Sequence, residues 1–339
     1  MAKIRIVRLC TPLASGVARL WRRCFPCREV HANVVWNPFG RPMTRRAVQD
    51  RILGRESFDP AGSFVAVAGG RVVGFCIAAM PPSPEARDGY LCGLAVAPHF
   101  RRQGIGSRLL RRAERYLARC GARTVRVSSE GNPVPLLIGV PTNYEATPFL
   151  LNRGFRNPER RLLQVMTQDT TRYRFPRAMQ ERIRRLERAG IRIGHLEVRE
   201  RSALDRLLTK HFQGWHRGIM ERVTREPAAP ISVAVRKRTV LGFAGPFGVA
   251  ASGAGHFFAL GVAPAERRQG IGAALFHRMS AELKALGAKA VNLTTELNNP
   301  AQDLYAAAGF RTRCVVDCGM RKDLASSQRQ DVKPRGVER

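Results

Sequence analysis

Two stretches of this chain have the residue types and spacing to hold an anion: Arg101-Arg102-Gln103-Gly104-Ile105-Gly106-Ser107 and Arg267-Arg268-Gln269-Gly270-Ile271-Gly272-Ala273. In both, an apolar run ends at a proline, a basic loop follows, and the glycines open a segment of helical period. The first N–H groups of a helix have no intrahelical partner, and the macrodipole places partial positive charge there. Glycines without Cβ atoms let an anion approach those amides closely, and the arginines add charge. The pattern predicts a pyrophosphate cradle built from backbone amides. Two common phosphate loops do not fit it. A nucleoside triphosphatase loop needs Gly-Lys-Ser/Thr, whereas Gly106 is followed by Ser107-Arg108. A dinucleotide fingerprint needs a third small residue where Leu109 and Leu275 stand.

The elements that must position these loops come in duplicate. With a shift of 166, residues Leu94 to Asn132 fall on Leu260 to Asn298 without a gap. Downstream, at Gly154 and Gly309, the offset falls to 155, so the first copy holds an 11-residue insertion in "PVPLLIGVPTNYEATP". Within a copy, "SFVAVAGGRVVGFCIAAM" reads as a hairpin around Gly69-Gly70. "YLCGLAVAP" and "HFFALGVAP" read as buried central strands. Apolar residues at 109, 110, 113, 116 and 117 have helical spacing, closed by Gly121, with Gly287 in the same place in the second copy. "RTVRVSS" and "AVNLTTE" return as strands, and a short helix ends at Gly154 or Gly309. The fold class is α/β with a mixed sheet, in two tandem copies. The boundaries read from sequence are 1–168, a linker and helix at 169–190, a second domain at 191–325, and a disordered tail at 326–339.

The motif V-x-P-x-x-R-R-x-G-x-G, present as "VAPHFRRQGIG" and "VAPAERRQGIG", resembles that of the GNAT superfamily of acyl-CoA-dependent N-acetyltransferases. "NNPAQDLYAAAGF" in the second copy and the order of hairpin, strand, glycine loop, helix, strand and helix are similar to that family too. The resemblance covers most of residues 1 to 325. It implies that both glycine loops bind the pyrophosphate of acetyl-CoA, with no metal. It implies further that pantetheine pairs with backbone groups of Leu260, Gly261 and Val262, and of Leu94, Ala95 and Val96 in the first copy, and that Asn298 contacts the coenzyme or caps a turn. An N–H near Val262 would stabilise the oxyanion.

By the same resemblance a tyrosine four residues before the last glycine protonates the leaving thiolate. That residue is Tyr305 in the second copy and Leu150 in the first. Leucine cannot donate a proton, so the chemistry is expected in the second copy. Glu296, with Glu130 as its first-copy equivalent, is a candidate base for the acceptor amine, and His256 is the alternative. A strand-end polar residue accounts for either equally well. The acceptor, a small-molecule or peptide amine, is expected to meet "ALDRLLTKHFQGWHRGIMERVTRE", where Trp215, His216 and Glu221 are candidate pocket walls and a half-buried amphipathic helix is the other reading.

Composition sets bounds on these readings. The net charge of +32 comes almost entirely from arginine, since only seven of the 58 basic residues are lysine. Such a charge brings non-specific affinity for nucleic acid. The basic residues occur in every segment rather than in one stripe, which equally fits solvated arginine-rich faces. A non-catalytic acyl-CoA-binding or RNA- or ribosome-associated module is therefore the alternative to an enzyme. Cys24 and Cys27 form one CxxC with His31 beyond it, but no second knuckle completes a zinc site, so reduced thiols are expected. No apolar run reaches membrane-spanning length, and "MAKIRIVRLCTPLASGVARLWRRCF" lacks a leader's apolar core, so a cytoplasmic location is expected.

Overall fold

The structure, a computed structural model, describes residues 3–25, 43–56, 58–225, 230–250 and 253–324. The chain forms two compact units. One holds the residues up to Val165 together with those from Cys314, and the other runs from Met166 to Arg313.

The first unit opens with strand β1 (Arg5–Arg8) and helices α1 (Ala14–Cys24) and α2 (Arg45–Val48). The expected hairpin follows as β2 (Phe64–Ala68) and β3 (Arg71–Ala79), with Gly69 and Gly70 both at positive φ in the turn. Then come β4 (Asp88–Val96), α3 (Ile105–Arg119), β5 (Thr124–Arg126), β6 (Val140–Pro141), α4 (Ala146–Leu151) and β7 (Leu162–Asp169), which carries the chain into the second unit. There α5 (Arg177–Arg188) leads to β8 (Ile191–His195), α6 (Arg201–His211) and α7 (Gln213–Arg225). The second hairpin, β9 (Ser232–Arg236) and β10 (Thr239–Val249), precedes β11 (Ala254–Val262), α8 (Ile271–Ala285), β12 (Ala290–Glu296) and α9 (Gln302–Ala307). Finally β13 (Arg311–Asp317) returns the chain to the first unit, where β14 (Arg321–Asp323) ends the described residues.

The compact units thus differ from the contiguous segments read from sequence, because residues after Cys314 rejoin the first unit. The reason lies at the sheet edge. The first unit's sheet runs β1-β2-β3-β4-β5-β14, and β14 lies antiparallel to β5, Arg321 opposite Arg126 and Asp323 opposite Thr124. An unpaired β5 would expose a row of free backbone donors and acceptors. Met320 and Leu324 are buried in that unit's core, and Lys322 Nζ donates to Glu114 Oε1 on α3 at 2.8 Å. The tail from 326 lies outside the described residues.

Each sheet is packed on both faces. In the first unit, Ile105, Leu109, Leu110 and Leu117 of α3 are buried on one face, and Val17, Leu20 and Trp21 of α1 on the other. In the second unit, α8 buries Ile271, Leu275, Phe276 and Met279 on one face, while α6 and α7 bury Leu204, Leu208 and Ile219 on the other. A fully buried side chain of this kind contributes about 1.5–3 kcal/mol. One element is shorter than its period suggests: "RTVRVSS" pairs only over Thr124–Arg126, whereas its counterpart β12 extends to Glu296. After Arg126 the chain is diverted. Val127 N donates to Met320 O, and Asn132 holds a turn by donating to Ser128 O and accepting from Val134 N.

Candidate functional site

In both units the fourth strand parts from the fifth. Parallel pairing joins Ala254 to Ala290 and Gly255 to Val291, yet β11 runs on to Val262. In the first unit it joins Asp88–Tyr90 to Thr124–Arg126, while β4 runs on to Val96. Among the described residues, the parting leaves one backbone edge of Leu260–Val262, and of Leu94–Val96, without a strand beside it.

The glycine loop stands at the end of that edge, and its geometry repeats closely. Arg102 and Arg268 adopt positive φ of 63° and 65°, and Gly104 and Gly270 begin their helices at 75° and 84°. Arg101 Nε donates to Val96 O at 3.1 Å and Arg267 Nε to Val262 O at 3.2 Å. The first arginine of each pair is thereby fixed to the last residue of the strand. Intrahelical bonding begins at Arg108 N to Gly104 O and Ala274 N to Gly270 O, so the amides of Ile105, Gly106 and Ser107, and of Ile271, Gly272 and Ala273, project from the helix ends. A Cβ added to Gly104 would meet nothing within 4 Å. Amides, glycines and guanidinium groups form a donor set suited to a pyrophosphate. Arg102, Gln103, Arg268 and Gln269 are exposed around it.

The second cradle has a feature that its motif does not contain. A Cβ on Gly270 would fall 2.3 Å from Nη1 and 2.7 Å from Cδ of Arg182 on α5, and Arg182 Nε is buried without a partner among the described residues. A third guanidinium therefore lies across this helix end. Sequence reasoning missed it because Arg182 stands 88 residues before Gly270, with no signal linking them.

Tyr305 is buried on α9, with its ring 5.2 Å from Phe276 and 6.2 Å from Phe310, and burial pushes its phenol above the usual range. Glu296 ends β12, exposed, and its carboxylate has no ion pair among the described residues. Glu296 and Leu260 each stand five residues beyond the last paired residues, Val291 and Gly255, on the two parted strands. His256 is six residues before Val262, about 20 Å along a strand. Asn298 is exposed in the loop after β12, and the turn there is capped by its neighbour, Asn299 Oδ1 accepting from Ala301 N. Thr295 Oγ1, also missed from sequence, is buried without a partner beside Glu296.

The segment expected to meet the acceptor folds as two helices broken at Phe212. Phe212 stacks on Trp215 at 5.5 Å, and a Cβ on Gly261 would touch its ring at 2.8 Å. Trp215 and Phe258 are each 40% exposed, and Gly218 on α7 gives room for the Phe258 ring. His216 Nε2 is 2.7 Å from Asp205 Oδ1. Glu221 is taken up elsewhere: it pairs with Arg217 at 2.8 Å on the outer side of α7, which holds its carboxyl below the usual range.

The family model of the Acetyltransferase (GNAT) family matches residues 16–133 and 183–310, one match in each copy. The chain belongs to the GNAT acetyltransferase family. Membership implies acyl-CoA-dependent N-acetyl transfer. Three solved structures share the fold. A GCN5-related glucosamine N-acetyltransferase region of a fungal multi-domain GH3 β-N-acetylglucosaminidase aligns at TM-score 0.70 and 18% identity, over 95% of this chain and only 38% of that one. A GCN5-related N-acetyltransferase from Sphaerobacter thermophilus aligns at TM-score 0.62 and 18% identity, over 95% and 96% of the two chains. A tandem GNAT protein from the clavulanic acid biosynthesis pathway aligns at 0.61 and 15%, over 95% and 99%. No curated protein matches the sequence. No helix among the described residues is long and apolar enough to cross a membrane.

The two GNAT copies differ on the sheet face that carries α1 in the first and α6 and α7 in the second. In the first, the insertion packs Val134, Leu136 and Leu137 into one buried cluster with Trp21, Phe75, Cys92 and Ala95. Asn132 fixes its start, accepting from Cys92 Sγ as well as from Val134 N. Glu130, the counterpart of Glu296, is held by Arg161 at 2.7 Å, and Arg101 of the cradle by Glu145 at 2.6 Å. Leu150 occupies the tyrosine position, 3% exposed. In the second copy the matching cluster receives no side chain from the loop after β12, where Leu297 is 36% exposed. Cys24 is buried and donates to Val96 O, while Cys27 and His31 lie outside the described residues.

Proposed function

We propose that the second unit transfers an acetyl group from acetyl-CoA to a primary amine of a small molecule or peptide by direct attack. The observation that carries this is the parting of β11 from β12 beside an intact cradle, with an open acceptor side. Arg267, Arg268 and the amides from Gly270 to Ala273 hold the pyrophosphate, and Arg182 adds charge across it. The free edge of Leu260–Val262 pairs with pantetheine as a strand would, which sets the thioester carbonyl near Val262 N.

The amine nitrogen attacks that carbonyl carbon, forming a C–N bond as the C–S bond breaks. Glu296, at the end of β12, takes the amine proton directly or through water. Tyr305, kept protonated by burial, gives its proton to the departing thiolate. His256, about 20 Å along the strand from Val262, does not share this work. Trp215, Phe212 and Phe258 supply an aromatic wall for the acceptor.

The first unit keeps its glycine cradle and has a filled acceptor side, which favours acyl-CoA binding without transfer. Calorimetric titration with acetyl-CoA, followed by thiol-release assays across an amine panel, tests both statements. Two binding events and turnover lowered about 10²–10⁴-fold by Tyr305→Phe are expected. Turnover unchanged in that variant would remove Tyr305 from the mechanism.

A further inference from the structure

Helix α3 of the first unit carries a stripe of arginines. Arg108, Arg112, Arg115 and Arg119 recur at intervals of four, three and four residues, so they share one helix face, and all four are exposed. Arg108, Arg111, Arg112 and Arg115 line an open groove of about 540 Å³ with Arg5 of β1, and it adjoins a second hollow of about 430 Å³ lined by Arg8, Phe64, Arg112, Arg115 and Arg119. No acidic side chain lines it among the described residues, and none of the four forms an ion pair there. Basic residues that occur in every segment of the sequence thus form a stripe on this face.

The duplication shows which of these charges the fold itself needs. The equivalent positions on α8 are Ala274, Arg278, Ala281 and Ala285. Arg112 donates to Ile6 O of β1 at 3.1 Å, and Arg278 donates to Ile193 O of β8 at 3.2 Å. That arginine is a shared clasp between helix and edge strand. Arg108, Arg115 and Arg119 have no such duty. A general preference for arginine would have filled both helices alike, yet α3 carries five arginines, Arg111 among them, and α8 carries one. Like charges at these spacings repel and weaken a helix, so the stripe has the character of a surface awaiting a polyanion.

We propose that the groove between β1 and α3 binds the sugar–phosphate backbone of nucleic acid, irrespective of sequence. The stripe spans about 16 Å at 1.5 Å per residue, or about five phosphates at 3.4 Å per nucleotide of one strand. Guanidinium forks suit phosphate oxygens. An acidic peptide adding as a further strand is disfavoured, because Arg112 already occupies the Ile6 carbonyl on the sheet's end strand.

The test uses the full chain and fluorescence anisotropy with a labelled 20-base-pair duplex. The variant R108A/R115A/R119A installs the residues that the second copy carries. It should bind at least tenfold more weakly at 0.1 M salt and lower the slope of log K against log salt by about 2.7, from about 0.9 per phosphate contact. The control R184A/R185A/R188A on α5 removes equal charge elsewhere and should bind within about twofold of wild type. Equal losses in the two triples would assign the binding to net charge and overturn the proposal, as would a groove variant that binds normally. Displacement of the duplex by polyglutamate at a lower charge concentration than by unlabelled duplex would overturn it in favour of an acidic protein. Melting temperatures check the fold; if the triple melts early, R115E alone must still weaken binding several-fold, and failure to do so overturns the proposal.

Discussion

The same substitution in the two glycine loops should have two different outcomes. Gly104 and Gly270 share a left-handed conformation, so alanine at either costs about 1–2 kcal/mol in backbone strain. For units of this size that lowers the melting temperature by about 2–8 °C. At Gly104 the added methyl meets open space, and the cost ends there for the free protein. At Gly270 it would fall 2.3 Å from Arg182 Nη1, so the arginine must swing away. A charge-assisted contact to phosphate contributes about 1.5–3 kcal/mol, so Gly270→Ala should weaken acetyl-CoA binding by the second unit about ten- to a hundredfold. Arg182→Ala should do the same with little change in melting temperature. Because both changes remove one contact, the double variant should lose scarcely more than either alone. Calorimetric titration of the four chains gives the cycle directly. Losses that simply add would show that Arg182 does not reach the bound phosphates.

Other outcomes follow from the same geometry. Tyr305→Phe should lower kcat by about 10²–10⁴ without changing acetyl-CoA affinity, as thiol release and calorimetry would report. Restoring a phenol to the first copy with Leu150→Tyr should add no turnover to a Tyr305→Phe chain, because the acceptor side there is filled and Glu130 is held by Arg161. Leu136→Ala, opening that buried cluster, should destabilise the first unit by about 2–5 kcal/mol in denaturant titration. His277 is buried and its Nδ1 lies 3.0 Å from Tyr173 Oη; burial lowers its pKa, so the folded state resists protonation. Its contribution to stability is full above the ordinary histidine range near 6.5 and is lost as pH falls below it, and melting curves of wild type and His277→Gln from pH 8 to 5 should diverge there.

By itself the sequence determined the repeated unit, both glycine loops, the hairpins and the leucine that stands at position 150 where the second copy has Tyr305. These are local matters: glycine spacing, strand and helix period, and a motif whose parts lie within a few residues of one another. The proposed roles of Glu296 and Tyr305 also rest on local spacing, since each stands at a countable distance from a glycine or an asparagine. Tertiary structure alone decided the rest. It brought Arg182 onto Gly270 and turned the insertion inward, so that Val134 and Leu136 join the buried cluster around Trp21 and Phe75. It returned β14 to the edge of β5, because an open strand edge takes whichever segment supplies matching donors and acceptors, regardless of its distance along the chain. It also gathered Arg5 and Arg8 beside the α3 stripe, since charges far apart in sequence form a common field only where the fold sets them on one face.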